Sequence, residues 1–226
     1  MSVSLDACSE SGRFRAVVWD VDGVLIDSEP LHLESLTAVC ARHGHVFGDA
    51  DNKRWLGKSF PEMWAGIPAL RALGPGFEGL RAELIDYYVA RVHGGMARPP
   101  APAIVAALGA RGVPQAAASS SPRPIVEANV VAVGAKRHLA ATLAVDDVAA
   151  GKPAPDLYLA AVARLDVPPA RCLAIEDTST GIAAAKAAGL SVIAWPHAMT
   201  ATMDFSAADF RLRALDDFDW EAMVGA

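Results

Sequence analysis

The chain of 226 residues is long enough for one large domain, or for one domain that carries a smaller insert. Hydrophobic residues make up 53% of it and charged residues 20%, so it can bury a sizeable core. The net charge of −6 argues against nucleic acid and anionic membranes as general partners, because both require basic surfaces.

Cysteine usage and the amino terminus point to a reduced compartment. Cys8, Cys40 and Cys172 have no metal-binding spacing, and their odd number does not suggest a disulfide framework. Residues 1–13 lack an apolar centre, so we interpret them as a flexible extension rather than a secretory signal. No stretch approaches the ~20 apolar residues that span a bilayer. We therefore expect a cytoplasmic protein, a monomer or a weak homodimer.

The first predicted strand, residues 16–19, ends at two carboxylates separated by one residue, Asp20 and Asp22, which are followed by Gly23. A short valine-rich run of this kind is typical of a strand buried in a parallel sheet, where ligands bind at the carboxyl end. Two acids in that place are costly unless something positive lies between them. The stretch indicates a metal ion or a phosphoryl group held by a lysine, although a capped, solvated loop would have similar residues.

The next segment, residues 31–95, has no strong strand pattern. Apolar side chains recur at helical spacing in residues 31–43, and the remainder consists of short helical stretches broken by glycine and proline. Aromatic residues give this segment apolar material of its own. We predict that it is an inserted helical cap of roughly 65 residues, and that the core consists of residues 14–30 and 96–226.

The rest of the chain alternates between helices and strands. Helices are predicted at residues 103–110, 124–133, 156–165, 182–188 and 220–224, and strands at residues 113–118, 142–145, 172–175, 190–195 and 208–212. Such alternation is typical of βαβ units. The predicted fold is α/β, a Rossmann-like, doubly wound parallel sheet covered by helices on both faces, with the helical cap inserted into it.

Polar residues that suit phosphate chemistry stand where these strands end. Ser119 follows the second strand, at a helix start that could bind an anion, although an ordinary serine cap would look the same. Lys152 lies in Gly-Lys-Pro-Ala-Pro-Asp, and a solvent-facing lysine is its ordinary interpretation. Glu176 and Asp177 end the strand at residues 172–175 and offer the hard oxygen ligands that Mg²⁺ prefers.

Together these four stretches resemble the four motifs of the haloacid dehalogenase-like hydrolase superfamily, in the family's order and over about residues 14–215. The first motif is Asp-x-Asp-Gly-x-x-x-Asp-Ser, and Thr178 stands where the fourth motif usually has serine. The insert directly after the first motif is similar to that of members with a small helical cap. That group contains sugar-phosphate phosphatases and β-phosphoglucomutase.

The resemblance implies roles for the catalytic residues. Asp20 would be a nucleophile and Asp22 a general acid and base. Ser119 would bind the transferring phosphoryl group, and the ammonium of Lys152 would neutralise charge on the nucleophile and the phosphoryl oxygens. A dehalogenase is disfavoured, because Asp22 supplies a general acid that haloacid chemistry does not require.

The resemblance also implies Mg²⁺ as the cofactor. Asp20 and Asp177 would bind it through their side chains, and Asp22 through its carbonyl oxygen. Glu176 would be either a ligand or a group that supports one.

The implied activity is that of a phosphatase for small phosphorylated metabolites, with sugar phosphates expected, acting through an aspartyl phosphate. Candidate substrate-binding residues are Ser120, Ser121, Arg123, His32, Gly57 and Lys58. A β-phosphoglucomutase-type reaction is the alternative. Phe60 argues against it, because it replaces the arginine with which that mutase binds a second phosphate, although Lys58 could compensate. A catalytically silent binding protein of the same fold is the third interpretation.

Overall fold

The computed structural model describes residues 12–47 and 60–225. Its six strands are β1 (Ala16–Trp19), β2 (Gln115–Ala118), β3 (Ala141–Leu143), β4 (Cys172–Glu176), β5 (Ser191–Ala194) and β6 (Phe210–Arg211). They form one parallel sheet in the order β3-β2-β1-β4-β5-β6. β1 therefore lies between β2 and β4, at the place where the strand order reverses, and parallel sheets bind their ligands at such places.

The helices within the described ranges are α1 (Glu29–Arg42), α2 (Phe60–Gly66), α3 (Pro68–Arg71), α4 (Gly76–Val89), α5 (Ala101–Ala110), α6 (Arg123–Ala132), α7 (Asp156–Leu165), α8 (Ser179–Ala187) and α9 (Trp220–Met223). None of them is long and apolar enough to cross a lipid bilayer.

The two faces of the sheet bury different side chains. Val17 and Trp19 of β1 belong to a buried cluster that includes residues of α5 and α6. Ala16 and Val18 belong to a cluster on the other face, with residues of α7 and α8. This alternation follows from the two-residue period of a strand, and it confirms the predicted parallel sheet with helices on both faces.

Helices α1 to α4 pack around a cluster of their own, whose buried members are Leu36, Val39, Cys40, Phe47, Leu70 and Leu80. The described part of residues 31–95 contains no strand. Two connections join this helical cap to the core, and they run side by side: the Asp27 N–H donates to the Met96 carbonyl at 2.9 Å, and the Arg98 N–H donates to that of Leu25 at 3.0 Å. These helices are therefore joined to the core by two connections that are hydrogen-bonded to each other.

Several element ends differ from the predicted ones, for local reasons. The third strand ends at Leu143 instead of residue 145, because Val145–Asp147 forms a 3-10 turn. Helix α8 begins at Ser179, three residues before the predicted start, because the Thr178 side chain accepts the Gly181 N–H at 3.1 Å and caps the helix.

Candidate active site

The candidate site lies at the carboxyl ends of β1, β2 and β4. Trp19, the last residue of β1, is in register with Ala117 of β2 and Ile175 of β4. The residues that follow these positions therefore emerge at one edge of the sheet. This register brings Asp20, Ser119 and Glu176 together from three distant parts of the chain.

Lys152 lies between two of the carboxylates. Its Nζ atom is 2.9 Å from Asp20 Oδ1 and 2.6 Å from Glu176 Oε1, and the side chains of all three residues are at most 9% exposed. Burial alone would lower the pKa of Lys152, but the charges of Asp20 and Glu176 raise it above its ordinary value. The ammonium is therefore charged, and it offsets part of the negative charge in the site.

One lysine does not balance all of that charge. Burial, followed by the repulsion from Glu176, raises the pKa of Asp20 well above its ordinary value, although Lys152 opposes the shift. Asp20 Oδ1 also accepts the Val21 N–H at 2.8 Å, whereas no donor among the described residues contacts its Oδ2. The site can thus accept a further positive group, and Asp20 keeps one oxygen for it or for a substrate.

The carboxylate of Glu176 is fully buried and accepts three hydrogen bonds. The donors are Lys152, the Tyr158 hydroxyl at 2.5 Å and the Thr178 hydroxyl at 3.3 Å. A Cβ atom at Gly181 would overlap this carboxylate, so a glycine is required at the start of α8. These contacts hold Glu176 in one orientation and fix Lys152 beside Asp20.

Asp177 has an oxygen that lacks a partner. Its Oδ2 lies 3.0 Å from Nε2 of His197, whereas its Oδ1 is buried and has no hydrogen-bond partner among the described residues. Burial raises the pKa of Asp177, although His197 opposes the shift. A buried carboxylate oxygen without a donor is costly, and a bound cation would satisfy it.

The three acids fit a divalent cation. Carboxylate oxygens of Asp20, Glu176 and Asp177 all lie within 4.8 Å of one another. Gly23, with a φ angle of +77°, turns the backbone tightly against this cluster, and a Cβ atom there would overlap the Asp177 carboxylate. Mg²⁺ prefers a few carboxylate ligands together with water and the oxygens of a substrate phosphate.

Asp22 points away from the acid cluster. Its Oδ2 accepts hydrogen bonds from the hydroxyls of Ser119 at 2.9 Å and Ser121 at 2.8 Å, while its Oδ1 lies 3.2 Å from Asn129 Nδ2 and 3.5 Å from His32 Nε2. Burial would raise the pKa of Asp22, but His32 and the hydroxyl donors lower it well below its usual range. The carboxylate is thus separate from the acids that could bind a metal.

The structure does not bring every predicted residue to this site. Ser120 is exposed at the surface of its loop. The guanidinium of Arg123 pairs with Glu127 at 3.3 Å and with Asp147. Among the described residues, the structure shows no contact between Arg123 and the acid cluster. Gly57 and Lys58 lie outside the described residues.

Four residues of the site were not predicted. His197 lies three residues after the end of β5, so it carries nearly the same signal as the other residues at strand ends. Asn129 and Tyr158 are polar positions on the buried faces of α6 and α7, and Tyr88 is on α4 of the cap. Their burial could be inferred from helical periodicity, but their hydrogen-bond partners could not.

The neighbouring Arg98 was also not predicted. Its guanidinium stacks 3.5 Å from the ring centroid of Trp195 and donates to the carbonyl oxygens of Gly23, Trp195 and Pro196. Arg98 lies in the second of the two connections between the cap and the core. Its bond to Gly23 therefore ties that connection to the turn beside the acid cluster.

Comparison with known proteins agrees with this geometry. The family model described as haloacid dehalogenase-like hydrolase matches residues 14–189. Validoxylamine A 7'-phosphate phosphatase from Streptomyces hygroscopicus subsp. limoneus is 30% identical over 92% of this chain and 97% of its own length. Protein CbbY from Rhodobacter capsulatus is 32% identical over 88% of this chain and 93% of its own length.

A solved structure is similar in both sequence and fold. CbbY from Rhodobacter sphaeroides, determined as a variant in complex with xylulose-1,5-bisphosphate, has a TM-score of 0.80 and 30% identity, over 89% of this chain and 94% of that one. The chain belongs to the haloacid dehalogenase-like hydrolases. Within that family it is a phosphoric monoester hydrolase, a phosphatase of phosphorylated metabolites.

Proposed function

We propose that the protein is a Mg²⁺-dependent phosphatase that hydrolyses small phosphorylated metabolites, with sugar phosphates as the expected class, through an aspartyl phosphate on Asp20. The observation that carries the proposal is the arrangement of Asp20, which is buried, is paired with Lys152 at 2.9 Å and has one oxygen that no donor among the described residues contacts. A carboxylate held in this way can act as a nucleophile towards phosphorus.

In the first half-reaction, an oxygen of Asp20 attacks the substrate phosphorus in line, and the bond between phosphorus and the leaving alcohol breaks. Asp22 is ionised in the free site, where its pKa is lowered, so it takes up a proton when the anionic substrate binds and then gives that proton to the departing oxygen. In the second half-reaction water attacks the phosphorus, Asp22 takes the proton from that water, and the bond to Asp20 breaks. The products are the alcohol, inorganic phosphate and the restored Asp20.

The phosphoryl group carries negative charge throughout, and stabilising this charge is the main task of the site. Lys152 supplies a fixed positive charge beside Asp20. The Ser119 hydroxyl, which contacts Asp22 at 2.9 Å, lies at the end of β2, where it can turn towards a phosphoryl oxygen. These two residues bind the group without taking part in bond making.

The residues that would hold Mg²⁺ are Asp20 and Asp177 through their side chains and Asp22 through its carbonyl oxygen. When bound, the ion would neutralise negative charge on the phosphoryl oxygens and on the attacking carboxylate. Asp177 Oδ1, which is buried and has no hydrogen-bond partner within residues 12–47 and 60–225, supports this assignment. Glu176, whose carboxylate already accepts from Lys152, Tyr158 and Thr178, supports the ligands.

The environment of Phe60 favours the phosphatase over the mutase alternative. Its ring stacks on Phe77 at a centroid distance of 5.3 Å and lies 6.2 Å from Trp64. It is therefore half-buried among aromatic residues of the cap and provides no cation for a second phosphate. The likeness to phosphatases supports the same choice. A cytoplasmic location and a monomeric or weakly dimeric state remain our expectations from the sequence.

A panel of phosphorylated sugars and small metabolites, incubated with the protein and Mg²⁺, tests the proposal. Phosphate release from one or a few sugar monophosphates, lost with EDTA, is the expected result. β-Glucose 1-phosphate with a trace of glucose 1,6-bisphosphate belongs in the panel, together with a coupled assay for glucose 6-phosphate. Isomerisation without release would show the mutase instead, and no turnover of any compound would favour a silent binding protein.

A further inference from the structure

A hydrogen-bonded chain runs from the cap into the active site. The hydroxyl of Tyr88 donates to Asn129 Oδ1 at 2.9 Å, and Asn129 Nδ2 donates to Asp22 Oδ1 at 3.2 Å. Tyr88 and Asn129 are at most 1% exposed. Buried polar groups require hydrogen-bond partners. Asp22 is the partner of the Asn129 amide NH₂, and Asn129 is the partner of the Tyr88 hydroxyl.

The chain also fixes which way the Asn129 amide faces. An ionised carboxylate can only accept, so the amide NH₂ must point towards Asp22, and the amide oxygen is left for the Tyr88 hydroxyl. A tyrosine hydroxyl can donate this hydrogen bond, and a phenylalanine ring cannot. Tyr88 therefore reinforces the amide orientation that offers a donor to Asp22.

The two ends of the chain belong to different parts of the molecule. Tyr88 is on α4 of the cap, whereas Asn129 is on α6 of the core. His32, on α1, stacks on the Tyr88 ring at a centroid distance of 4.5 Å and reaches the same oxygen of Asp22 at 3.5 Å. The position of the cap thus determines two of the contacts on Asp22 Oδ1.

We propose that Asn129 and Tyr88 are positioning residues: together they hold the carboxyl group of Asp22 in the orientation from which it exchanges a proton with the leaving alcohol, and Tyr88 makes this orientation depend on the docked cap. The inference rests on the proposed function, in which Asp22 is the general acid. Neither residue touches the reacting atoms.

The test uses two substrates that differ in their need for a general acid. Phenyl phosphate and p-nitrophenyl phosphate have the same ring, but phenolate is the more basic leaving group and gains more from protonation. For each substrate, kcat/KM reports the first half-reaction, up to the release of the phenol. The quantity compared between variants is the ratio of the two kcat/KM values, phenyl phosphate over p-nitrophenyl phosphate. Asn129→Leu should lower kcat/KM for phenyl phosphate about tenfold more than for p-nitrophenyl phosphate, a part of the ~100-fold or more that general acids contribute.

Tyr88→Phe removes a single oxygen and should shift the ratio in the same direction by a smaller factor. Gln115→Leu is the matched control. Gln115 is a fully buried amide on β2 that pairs with the indole of Trp19 and the carbonyl of Val105, outside the site. The control should leave the ratio at the wild-type value, even if it lowers stability.

If Asn129→Leu and Tyr88→Phe both leave this ratio at the wild-type value, the inference is overturned. That result would not contradict the proposed phosphatase activity. If Asn129→Leu does not fold, as judged by thermal unfolding, Tyr88→Phe decides the matter alone. A wild-type protein without activity on these two substrates and on every compound of the metabolite panel would instead contradict the proposed function, and the inference would fall with it.

Discussion

The Nζ atom of Lys152 lies 2.9 Å from Asp20 Oδ1, although the two residues are 132 positions apart in the chain. The same ammonium contacts Glu176 at 2.6 Å. A single buried cation thus holds two carboxylates that would otherwise repel each other.

Lys152→Met should abolish phosphatase activity and lower the free energy of unfolding by about 3 kcal/mol or more, since removing one partner of a buried ion pair leaves uncompensated charge. Lys186→Met is the matched control. Lys186 pairs with Asp209 at 2.8 Å on the surface, with a side chain that is 35% exposed, and surface pairs contribute about 0–1 kcal/mol. Urea denaturation and phosphate release measure the two effects. Similar losses for both lysines would contradict the account.

The stability of the metal-free protein should depend on pH through Asp20. The pKa of Asp20 is raised in the folded state, so its stabilising contribution is complete below the unfolded value of about 3.9 and is lost as the pH rises through the folded value. In EDTA, the free energy of unfolding of the wild type should therefore fall relative to that of Asp20→Asn as the pH rises from about 4. Parallel curves for the two proteins would contradict the raised pKa.

His197→Ala should weaken Mg²⁺ binding about tenfold or more, because supporting hydrogen bonds orient metal ligands and His197 holds Asp177 Oδ2 at 3.0 Å. The measurement is the rise of the unfolding temperature as Mg²⁺ is added. His138→Ala serves as the control, because His138 precedes β3 and so lies at the opposite end of the sheet. An unchanged Mg²⁺ dependence in His197→Ala would show that the imidazole does not position Asp177.

Gly23→Ala should abolish activity and Mg²⁺ binding, because the added Cβ atom would overlap the Asp177 carboxylate. Gly112→Ala separates this effect from backbone strain. Gly112 has nearly the same φ angle, +76° against +77°, but open space around it. Gly112→Ala should therefore lower the free energy of unfolding only by the backbone strain, about 1–2 kcal/mol. Full activity in Gly23→Ala, measured beside Gly112→Ala, would show that the turn does not need to approach Asp177.

The sheet and the acids at its edge could be predicted from the sequence, because both depend on local patterns. The apolar run before Asp20 and the two acids after the strand at residues 172–175 lie at strand ends, and parallel strands bring such ends together. No side-chain contact had to be known. The local pattern did not place Lys152 near these acids. Its position was predicted only from the resemblance to a known family.

The partners of individual side chains could not be predicted, because they depend on how elements rotate and dock. Asn129 lies among buried residues of α6, so its burial follows from helical periodicity, but its contact with Asp22 depends on the packing of that helix. Arg123 is predicted to bind substrate, and its ion pair with Asp147 in this structure could not be inferred from the sequence. Gly181 is required by the Glu176 carboxylate, which only the folded structure shows.

The central claim is that Asp20 is the nucleophile of a phosphatase. The most direct test compares wild type and Asp20→Asn for Mg²⁺-dependent phosphate release from the best substrate of the panel, with thermal unfolding to show that both proteins are folded. The account predicts that the variant unfolds cooperatively and loses at least ~1,000-fold in kcat, since the aspartyl phosphate cannot form. Phosphate release at a near-normal rate by the folded variant would contradict it.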